Sequence, residues 1–366
     1  MRVVVLLMLI ATGLVPTSAR ALILLQEARL PASVEYDSNP IMRSTDAQSV
    51  WRYTLNPNYK VVAKNELSTW NLNAGLRYQQ SSDTTVSVDR EDPSLGLGWQ
   101  REFERSSLGA TINYVQTTTR ITEFDETGTG LVQKDGTSKT RSGRINGTHQ
   151  FTERLSGSAG ADYRRLVFTG SDLRNYSSTG YNLGLTYLYN EMVSPYIQFG
   201  WNDFKPEGGF GVRSTSKNLM VGANLLITPQ LTSSFGVGMN QTSLAGNGWI
   251  ANASINYDNN YHHYVANYAR SVNATGAGGF QESDRVTFKY GYDFTEKSKL
   301  GIDYSLNKNK SINDAETQRL SGWYSRELSD NWDLRFRVEK KELKSANRSA
   351  DANVINITFS YRWAEF

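Results

Sequence analysis

Histidine is the side chain best suited to acid–base catalysis near neutral pH, and this chain of 366 residues contains three: His149, His262 and His263. A serine hydrolase needs a serine beside such a histidine, and a third polar group that orients the imidazole. His149 lies within the segment NGTHQF, and the other two directly follow a predicted turn at 258–260. These positions favour histidines without a catalytic role, so we predict no catalytic residues and no enzyme activity.

Other groups that hold metals or cofactors are scarce. The chain has no cysteine, which excludes disulfides, thiol catalysis and cysteine-based metal sites. The acidic segment DREDP at 89–93 offers oxygen ligands for a weak calcium site, but a solvated loop is the better interpretation. GAGG at 276–279 does not lie between a strand and a helix, as a phosphate-binding loop would. We therefore predict no bound metal and no cofactor.

The remaining charged residues are distributed along the chain. The formal net charge is only +3 and no basic run stands out, so nucleic acid is not a predicted partner. What these charges do depends on the elements that present them.

Those elements are β-strands. From Ile355 to Trp363, apolar and polar residues alternate without a break, which is the period of two of a strand with one apolar face. The same alternation recurs at 51–61, 70–78, 95–99, 108–114, 181–189, 219–227, 249–257, 286–294, 300–306 and 332–338. None of these stretches has helical spacing, and after residue 25 no apolar run approaches the roughly 18 residues of a membrane helix.

The connections alternate in length. Short turns are predicted at 63–66, 102–106, 152–154, 190–193, 228–230, 258–260, 295–298 and 328–331. Longer polar stretches lie at 80–92, 121–140, 169–177, 205–214, 243–248, 274–283, 311–316 and 345–351. Short turns on one side and long loops on the other are typical of outer-membrane barrels. We predict an all-β fold, a transmembrane antiparallel β-barrel of about 18 strands, whose first strand lies near Leu30–Asp37; 16 strands is the alternative.

The N-terminus has the features of a Sec signal peptide. Arg2 provides a positive charge, 3–15 is an apolar core, and Ala19-Arg20-Ala21 is a small-x-small cleavage site. We predict a signal peptide at 1–21 and a barrel domain at 22–366, located in the outer membrane of a Gram-negative cell. Outer-membrane lipid is then one partner of the barrel.

If the apolar strand faces contact lipid, the polar faces line the interior. The predicted pore-lining residues are basic: Arg52, Lys60, Arg77, Arg164, Arg285, Lys289, Arg335, Arg337 and Arg362. A basic excess inside a narrow channel creates a positive potential, which suits an anionic solute or an acidic sugar polymer. The alternative is that these charges pair across strands and fill the lumen.

Three segments carry a family resemblance: EYDSNP at 35–40, VDREDPSLGLGWQREFERSSLGATINY at 88–114, and the repeated FTE(R/K) turns. In these, the chain resembles outer-membrane β-barrel proteins encoded with exopolysaccharide and exosortase gene clusters. The resemblance implies a porin-like barrel that exports a surface polysaccharide, with partners in the periplasm and inner membrane. It transfers no individual binding residues.

Export of an exopolysaccharide is therefore the most specific expectation, and the cargo is either such a polysaccharide or a small solute. The main alternative is a general diffusion porin, which predicts a long loop folded into the lumen; 121–140 is the best candidate. A less favoured alternative is an outer-membrane lipid-modifying enzyme, which requires His149 to face a serine and a carboxylate at one rim of the barrel.

Overall fold

The computed structural model describes residues 23–122, 135–208, 211–243, 246–276, 278–310, 314–346 and 348–365. The signal peptide predicted at 1–21 lies outside these residues. No helix in the described ranges is long and apolar enough to cross a membrane.

Almost all of the described chain is β-strand, in segments that we number β1 to β19. Their bounds are β1 Ile23–Asp37, β2 Val50–Leu55, β3 Asn58–Lys64, β4 Ser68–Ser81, β5 Arg90–Glu102, β6 Ser106–Thr118, β7 Thr137–Gln150, β8 Leu155–Thr169, β9 Tyr176–Tyr187, β10 Val193–Pro206, β11 Ser214–Thr228, β12 Leu231–Thr242, β13 Gly246–Asp258, β14 His262–Ala274, β15 Phe280–Thr295, β16 Ser298–Lys310, β17 Ala315–Ser329, β18 Trp332–Ser345 and β19 Arg348–Glu365. Most have 12 to 16 residues, enough to cross a bilayer at a tilt.

The sheet closes on itself. Successive strands pair antiparallel, except that β2 and β3 both pair with β1 and β4, and the last strand, β19, pairs with the first, β1. This closing register is regular from Asp37 opposite Val354 to Gln26 opposite Glu365. A closed barrel leaves no strand edge unpaired, so every backbone polar group of the sheet can be satisfied inside a membrane.

β2 and β3 are two halves of one barrel strand. Both pair with β1 and with β4, and the register with β1 is the same on either side of the break: Leu55 lies opposite Ala32 and Asn58 opposite Arg29. Pro57 lies in the break, and a proline has no N–H to donate to a neighbouring strand. The barrel therefore has 18 strands, as predicted, and the alternative of 16 is wrong.

The first strand is longer than predicted. It begins at Ile23 rather than near Leu30, and its first half pairs with β3. Alternation was weak there because Glu27 and Arg29 share one face with Leu25, so the polar and apolar positions do not separate cleanly.

The connections lie at two different ends of the barrel, which we call the turn end and the loop end. Short turns are closed by their own side chains: the amide oxygens of Asn65, Asn190 and Asn259 each accept hydrogen bonds from backbone N–H groups two and three residues on. The hydroxyls of Thr152 and Thr228 accept in a similar way from the N–H group three residues on. These Asx and Ser/Thr turns explain why the short turns could be predicted from the sequence.

Several loop-end connections are shorter than their polar sequences suggested. β18 ends at Ser345 and β19 begins at Arg348, inside the stretch predicted as a loop at 345–351. The segment DREDP also belongs mainly to a strand: Arg90 and Asp92 are buried in β5 and form an ion pair of 2.8 Å. The interpretation of 89–93 as a solvated acidic loop is therefore wrong.

The outer surface of the barrel is apolar. Its exposed large side chains come from alternate strand positions, for example Tyr53 on β2, Leu183 on β9 and Ile357 on β19. Near the turn end, Trp332 stacks on Phe359 with ring centroids 4.5 Å apart, as expected for an aromatic belt at a membrane boundary. Lipid requires an apolar surface and a sheet without unpaired backbone groups, and this barrel has both. It therefore spans a membrane with its strands.

Candidate channel lumen

The strand pairing defines the inner face of the barrel. Residues directly opposite each other in an antiparallel pair project to the same side of the sheet. Arg52 lies opposite Glu35, Glu35 opposite Asn356, and Asn356 opposite Arg337. All four line one interior cavity of about 310 Å³, so this side of the sheet is the lumen.

The register places all nine predicted basic residues on the lumen face. Four of them, Arg52, Arg77, Arg335 and Arg337, line the 310 Å³ cavity. The other five follow the same face on other strands or at other heights: Lys60, Arg164, Arg285, Lys289 and Arg362. That these residues line a conducting pore remains a proposal.

The cavity also contains charged residues that were not among the nine predicted ones: Glu35, Arg120, Arg319, Glu339 and Lys341. Arg319 and Glu35 follow strand alternation and were within reach of the sequence. Arg120 follows no strand period, and its place in the lumen depends on the path of a loop.

Arg52 is the most completely enclosed of these basic residues. Its side chain is 2% exposed, and it donates from Nε to Glu35 at 2.8 Å and from Nη2 to Asp37 at 2.7 Å. The Nζ of Lys341 lies 3.9 Å from the same Asp37 carboxylate. Two carboxylates of β1 thus hold the guanidinium of Arg52, which lies on the neighbouring strand β2, at the lumen wall.

A second ion cluster centres on Glu339 of β18. Arg337 donates to its carboxylate, the Nζ of Lys341 lies 3.5 Å away, and a guanidinium nitrogen of Arg319 lies 4.0 Å away. One carboxylate therefore faces three cations. We predicted either an excess of basic charge in the lumen or charges that pair across strands. This part of the wall has both features.

Arg335 is held by an aromatic ring instead of an acid. Its guanidinium lies over the indole of Trp323, 4.7 Å from the ring centroid. Trp323 points into the lumen because it lies opposite Arg337, a residue of the cavity wall. On its other side it pairs with Gly301, where a Cβ would come within 2.5 Å of the indole. The glycine makes room for the ring, and the ring supports the guanidinium through a cation–π contact.

The connection from β6 to β7 begins inside the lumen, in a short stretch at 119–122 that we call the inward segment. Thr119 to Thr122 are helical and mostly buried, and both Arg120 and Ile121 line the cavity with residues of β2, β4, β17 and β18. This agrees with the loop at 121–140 that a diffusion porin predicts, except that 137–140 already belong to β7. Residues 123–134 of that prediction lie outside the described part of the chain.

The connection is anchored where it leaves β6 and where it joins β7. The N–H of Thr119 donates to the carbonyl of Gly136 at 3.0 Å, and the N–H of Gly136 donates back to the Thr119 hydroxyl at 3.1 Å. Arg90 donates from Nη1 to the same Gly136 carbonyl at 3.2 Å, and Asp135 accepts from the Thr118 hydroxyl. The buried Arg90–Asp92 pair of β5 therefore supports the connection that carries Arg120.

Arg120 is an unusual arginine. It is 8% exposed, and burial, followed by repulsion from Arg52, lowers its pKa to about 10. Asp135, Asp37 and Glu35 oppose this shift through their charges. A guanidinium is normally charged at any accessible pH, so a shift of this size indicates a cation whose lost hydration is only partly replaced.

Two apolar clusters lie near the loop end. The first is formed where Met42, on the connection after β1, packs against Leu343, Ala350 and Ala352, and Arg348 donates to the carbonyl of Ile41 at 2.7 Å. The second comprises Leu166, Phe168, Tyr176 and Phe204, with Leu173, Ala274 and Phe280 packed against it. Neither cluster follows the predicted alternation, because its strand members are apolar side chains on the lumen face. They come from neighbouring strands near the loop end: β18 and β19 in the first cluster, and β8, β9 and β10 in the second.

His149 does contact a serine. Its Nδ1 lies 2.7 Å from the Ser106 hydroxyl at the turn end, and its ring packs edge-on against Phe151. Among the described residues, no carboxylate forms a hydrogen bond or ion pair with its other ring nitrogen. The pair therefore lacks the third group that the lipid-modifying alternative requires.

The other two histidines have structural surroundings. His262 stacks with Tyr264, Tyr290 and Tyr292 at the turn end, as part of the aromatic surface. His263 lies 3.0 Å from Asp258. No group of three or more metal-ligating side chains occurs in the part of the chain that the structure describes.

The cavity wall is strongly basic. Of the charged residues that line it, seven are basic and two acidic. The basic residues are Arg52, Arg77, Arg120, Arg319, Arg335, Arg337 and Lys341, and the acidic ones are Glu35 and Glu339. With the adjacent Asp37 included, the wall still has an excess of positive charge, which raises the local concentration of anions.

Comparison with known proteins shows the fold. No protein-family model and no curated protein matches the sequence. Similar solved structures include Pseudomonas aeruginosa OccK7 (OpdD), with 13% identity, a TM-score of 0.53 and coverage of 94% of this chain and 99% of that chain. Acinetobacter baumannii OccAB2 has 10% identity and a TM-score of 0.52, over 94% and 98% of the two chains. A BenF-like porin from Pseudomonas fluorescens Pf-5 has 10% identity and a TM-score of 0.50, over 93% and 99%. The predicted fold class, an all-β transmembrane antiparallel barrel of 18 strands, is confirmed.

Proposed function

We propose that this protein is an outer-membrane channel through which small hydrophilic solutes diffuse, with a preference for anions. The observation that carries the proposal is the pairing of a closed 18-strand barrel with a polar lumen that Arg120 and Ile121 narrow at one level. A barrel of this strand number is wide enough to hold water. An inserted segment then limits the size of what passes.

The charge of the lumen supports the preference for anions. Basic side chains outnumber acidic ones around the narrowed level, and three of them, Arg77, Arg120 and Arg335, have no ion pair with a described residue. An anion that enters meets a positive potential in a region where protein walls reduce screening by water. A cation of the same size is repelled.

Export of an exopolysaccharide is the second candidate. It rests on the family resemblance and on the same basic lumen, which suits an acidic polymer. The segment at Arg120 and Ile121 favours the diffusion channel over it, because a polymer chain would have to displace that anchored segment. Export would further require periplasmic and inner-membrane partners, since a barrel has no energy source of its own.

The location follows from the fold and from the N-terminus. A barrel with an apolar exterior needs a bilayer, and a cleaved Sec signal peptide at 1–21 would deliver it to the outer membrane. The longer connections, including the inward segment, would then face outside the cell, and the turn end would face the periplasm.

Planar-bilayer recording of the refolded mature protein tests this proposal. We expect steady single-channel currents and, in a salt gradient, a reversal potential of the sign produced by anion selectivity. Dextran-like neutral polymers and acidic polysaccharides are then compared as blockers. No conductance from a correctly folded barrel contradicts the diffusion channel, and block specific to an acidic polysaccharide favours the export candidate.

A further inference from the structure

We infer that the narrow level of the lumen contains a discrete oxyanion site, where Arg120, Arg52 and Arg337 bind a carboxylate or phosphate group. This inference rests on the proposed channel, because it assigns a ligand to the constriction. It differs from general anion preference, since it predicts saturable binding at one place.

The first observation is a set of buried N–H groups without acceptors. Nη1 of Arg52, Nη1 of Arg120 and Nε of Arg337 are all buried, and none has a hydrogen-bond partner among the described residues. Arg52 and Arg120 are each more than nine-tenths buried. Leaving a buried donor on a charged group unpaired is costly, so three such donors around one cavity indicate a partner that carries oxygen acceptors.

The second observation is how the acidic side chains of the wall are engaged. Glu35 and Asp37 accept from Nε and Nη2 of Arg52, which leaves its Nη1 directed elsewhere. Glu339 is engaged by Arg337 through Nη2 rather than Nε. The carboxylates therefore leave one nitrogen of each guanidinium without an acceptor, Nη1 of Arg52 and Nε of Arg337, and these donors remain for a ligand.

Arg120 is not held by a carboxylate of any described residue. Among the described residues its guanidinium forms no ion pair, and the lowered pKa of about 10 reflects a buried cation beside the like charge of Arg52. An oxyanion between Arg120 and Arg52 would turn this repulsion into attraction to a shared partner. The arginines line the same cavity, and its 310 Å³ accommodates such a group together with a small attached molecule.

The chemistry of the donors identifies the ligand class. Guanidinium N–H groups match the planar, two-oxygen edge of a carboxylate and the oxygens of a phosphate, and they form shorter, stronger hydrogen bonds with these than with neutral acceptors. A halide has no such directional oxygens. The site should therefore separate oxyanions from chloride, although both are drawn in by the same potential.

The test is a binding measurement on the whole mature barrel in detergent, at constant ionic strength in chloride. Sodium phosphate and sodium acetate are titrated separately, and the line widths of the ³¹P and ¹³C resonances are followed by NMR. We expect saturable broadening for one or both ions. The tighter of the two shows whether phosphate or carboxylate chemistry is preferred.

Arg120→Gln is the main variant, because it removes a poorly compensated buried charge from a connection and leaves the strand ion pairs intact. We expect at least about tenfold weaker binding, the effect of losing a hydrogen bond to a charged group. Arg337→Gln should weaken binding similarly. Arg141→Gln is the matched control, since Arg141 is on the outer face of β7 and is exposed.

Unchanged binding in both lumen variants, or no saturable binding in the native barrel, would overturn the site and indicate that water satisfies these donors. Conductance is recorded in parallel. A conducting, anion-selective barrel without saturable oxyanion binding keeps the channel and removes the site. Binding that depends on Arg120 in a barrel that does not conduct supports the site and removes the diffusion channel.

Discussion

The guanidinium of Arg335 lies over the indole of Trp323 inside the barrel, with 4.7 Å between the Arg335 Cζ and the ring centroid. The carboxylates of the same wall are taken by Arg52 and Arg337. An aromatic face stabilises a cation without neutralising it. Arg335 therefore adds to the positive potential of the lumen, whereas Arg52 is largely compensated by its two acids.

The first prediction concerns the sign of ion selectivity. Replacing both Arg335 and Arg337 by Glu changes the charge of the narrow level by four units, so we expect anion preference to weaken or reverse. The measurement is the reversal potential in a salt gradient. The double substitution of Arg141 and Arg165 by Glu, on the outer face of β7 and β8, is the control and should leave the reversal potential unchanged.

The second prediction concerns the inward segment. Residues 120–135 are replaced by Asn-Gly, because Thr119 and Gly136 are already hydrogen-bonded and a two-residue turn can join them. We expect single-channel conductance to rise and larger neutral polymers to enter. The same replacement of 207–213, whose described residues are mostly exposed, is the control and should not widen the channel.

Equal conductance in the two loop variants would mean that the segment at Arg120 does not set the size limit. The constriction would then have to come from the barrel wall itself or from the clusters at the loop end.

The third prediction compares two ion pairs. Asp37→Ala removes one of the two carboxylates that pair with the buried Arg52. We therefore expect a loss of about 3–5 kcal/mol in the free energy of unfolding. Asp203→Ala breaks the pair with Arg213, whose side chain is 66% exposed, and should change stability little. Urea unfolding in lipid vesicles measures both. A small effect of Asp37→Ala would show that Glu35 alone compensates Arg52.

The fourth prediction concerns Gly301. A Cβ at this position would lie 2.5 Å from Trp323 and 2.5 Å from the Tyr290 carbonyl, so Gly301→Val should destabilise the barrel by about 1–3 kcal/mol. It should also displace the indole that supports Arg335, and so alter conductance. Gly322→Ala on the adjacent strand is the control, because its nearest neighbour is Val338 at 3.8 Å. The unfolding midpoint of each variant decides the comparison.

The fifth prediction concerns Ser106 and His149. Their hydrogen bond lacks a supporting carboxylate among the described residues, so we expect no release of fatty acid from phospholipid vesicles by the native protein. Ser106→Ala should leave the channel current unchanged. Fatty-acid release that disappears with Ser106→Ala would restore the lipid-modifying alternative.

The sequence determined the architecture because every barrel strand must satisfy two local demands at once. One face must suit lipid and the other water, so alternation such as that from Ile355 to Trp363 is written into neighbouring residues. Turns are equally local, since Asn65 or Thr152 closes a turn with its own backbone. Strand number, closure and the inner positions of residues such as Arg335 all follow from these short-range patterns.

Only the tertiary structure decided what the lumen contains. No periodicity places Arg120 near Arg52. The position of a connection inside a barrel depends on the cavity that surrounds it, and not on contact with lipid. The prediction for DREDP was wrong for the same reason. A run of polar residues is typical of a solvent-exposed loop, yet Arg90 and Asp92 are buried as an ion pair, and Arg90 donates to the carbonyl of Gly136. Alternation specifies whether a side chain points inward or outward. Which residue it then contacts across the lumen depends on closure of the barrel, because that residue belongs to a segment distant in the chain.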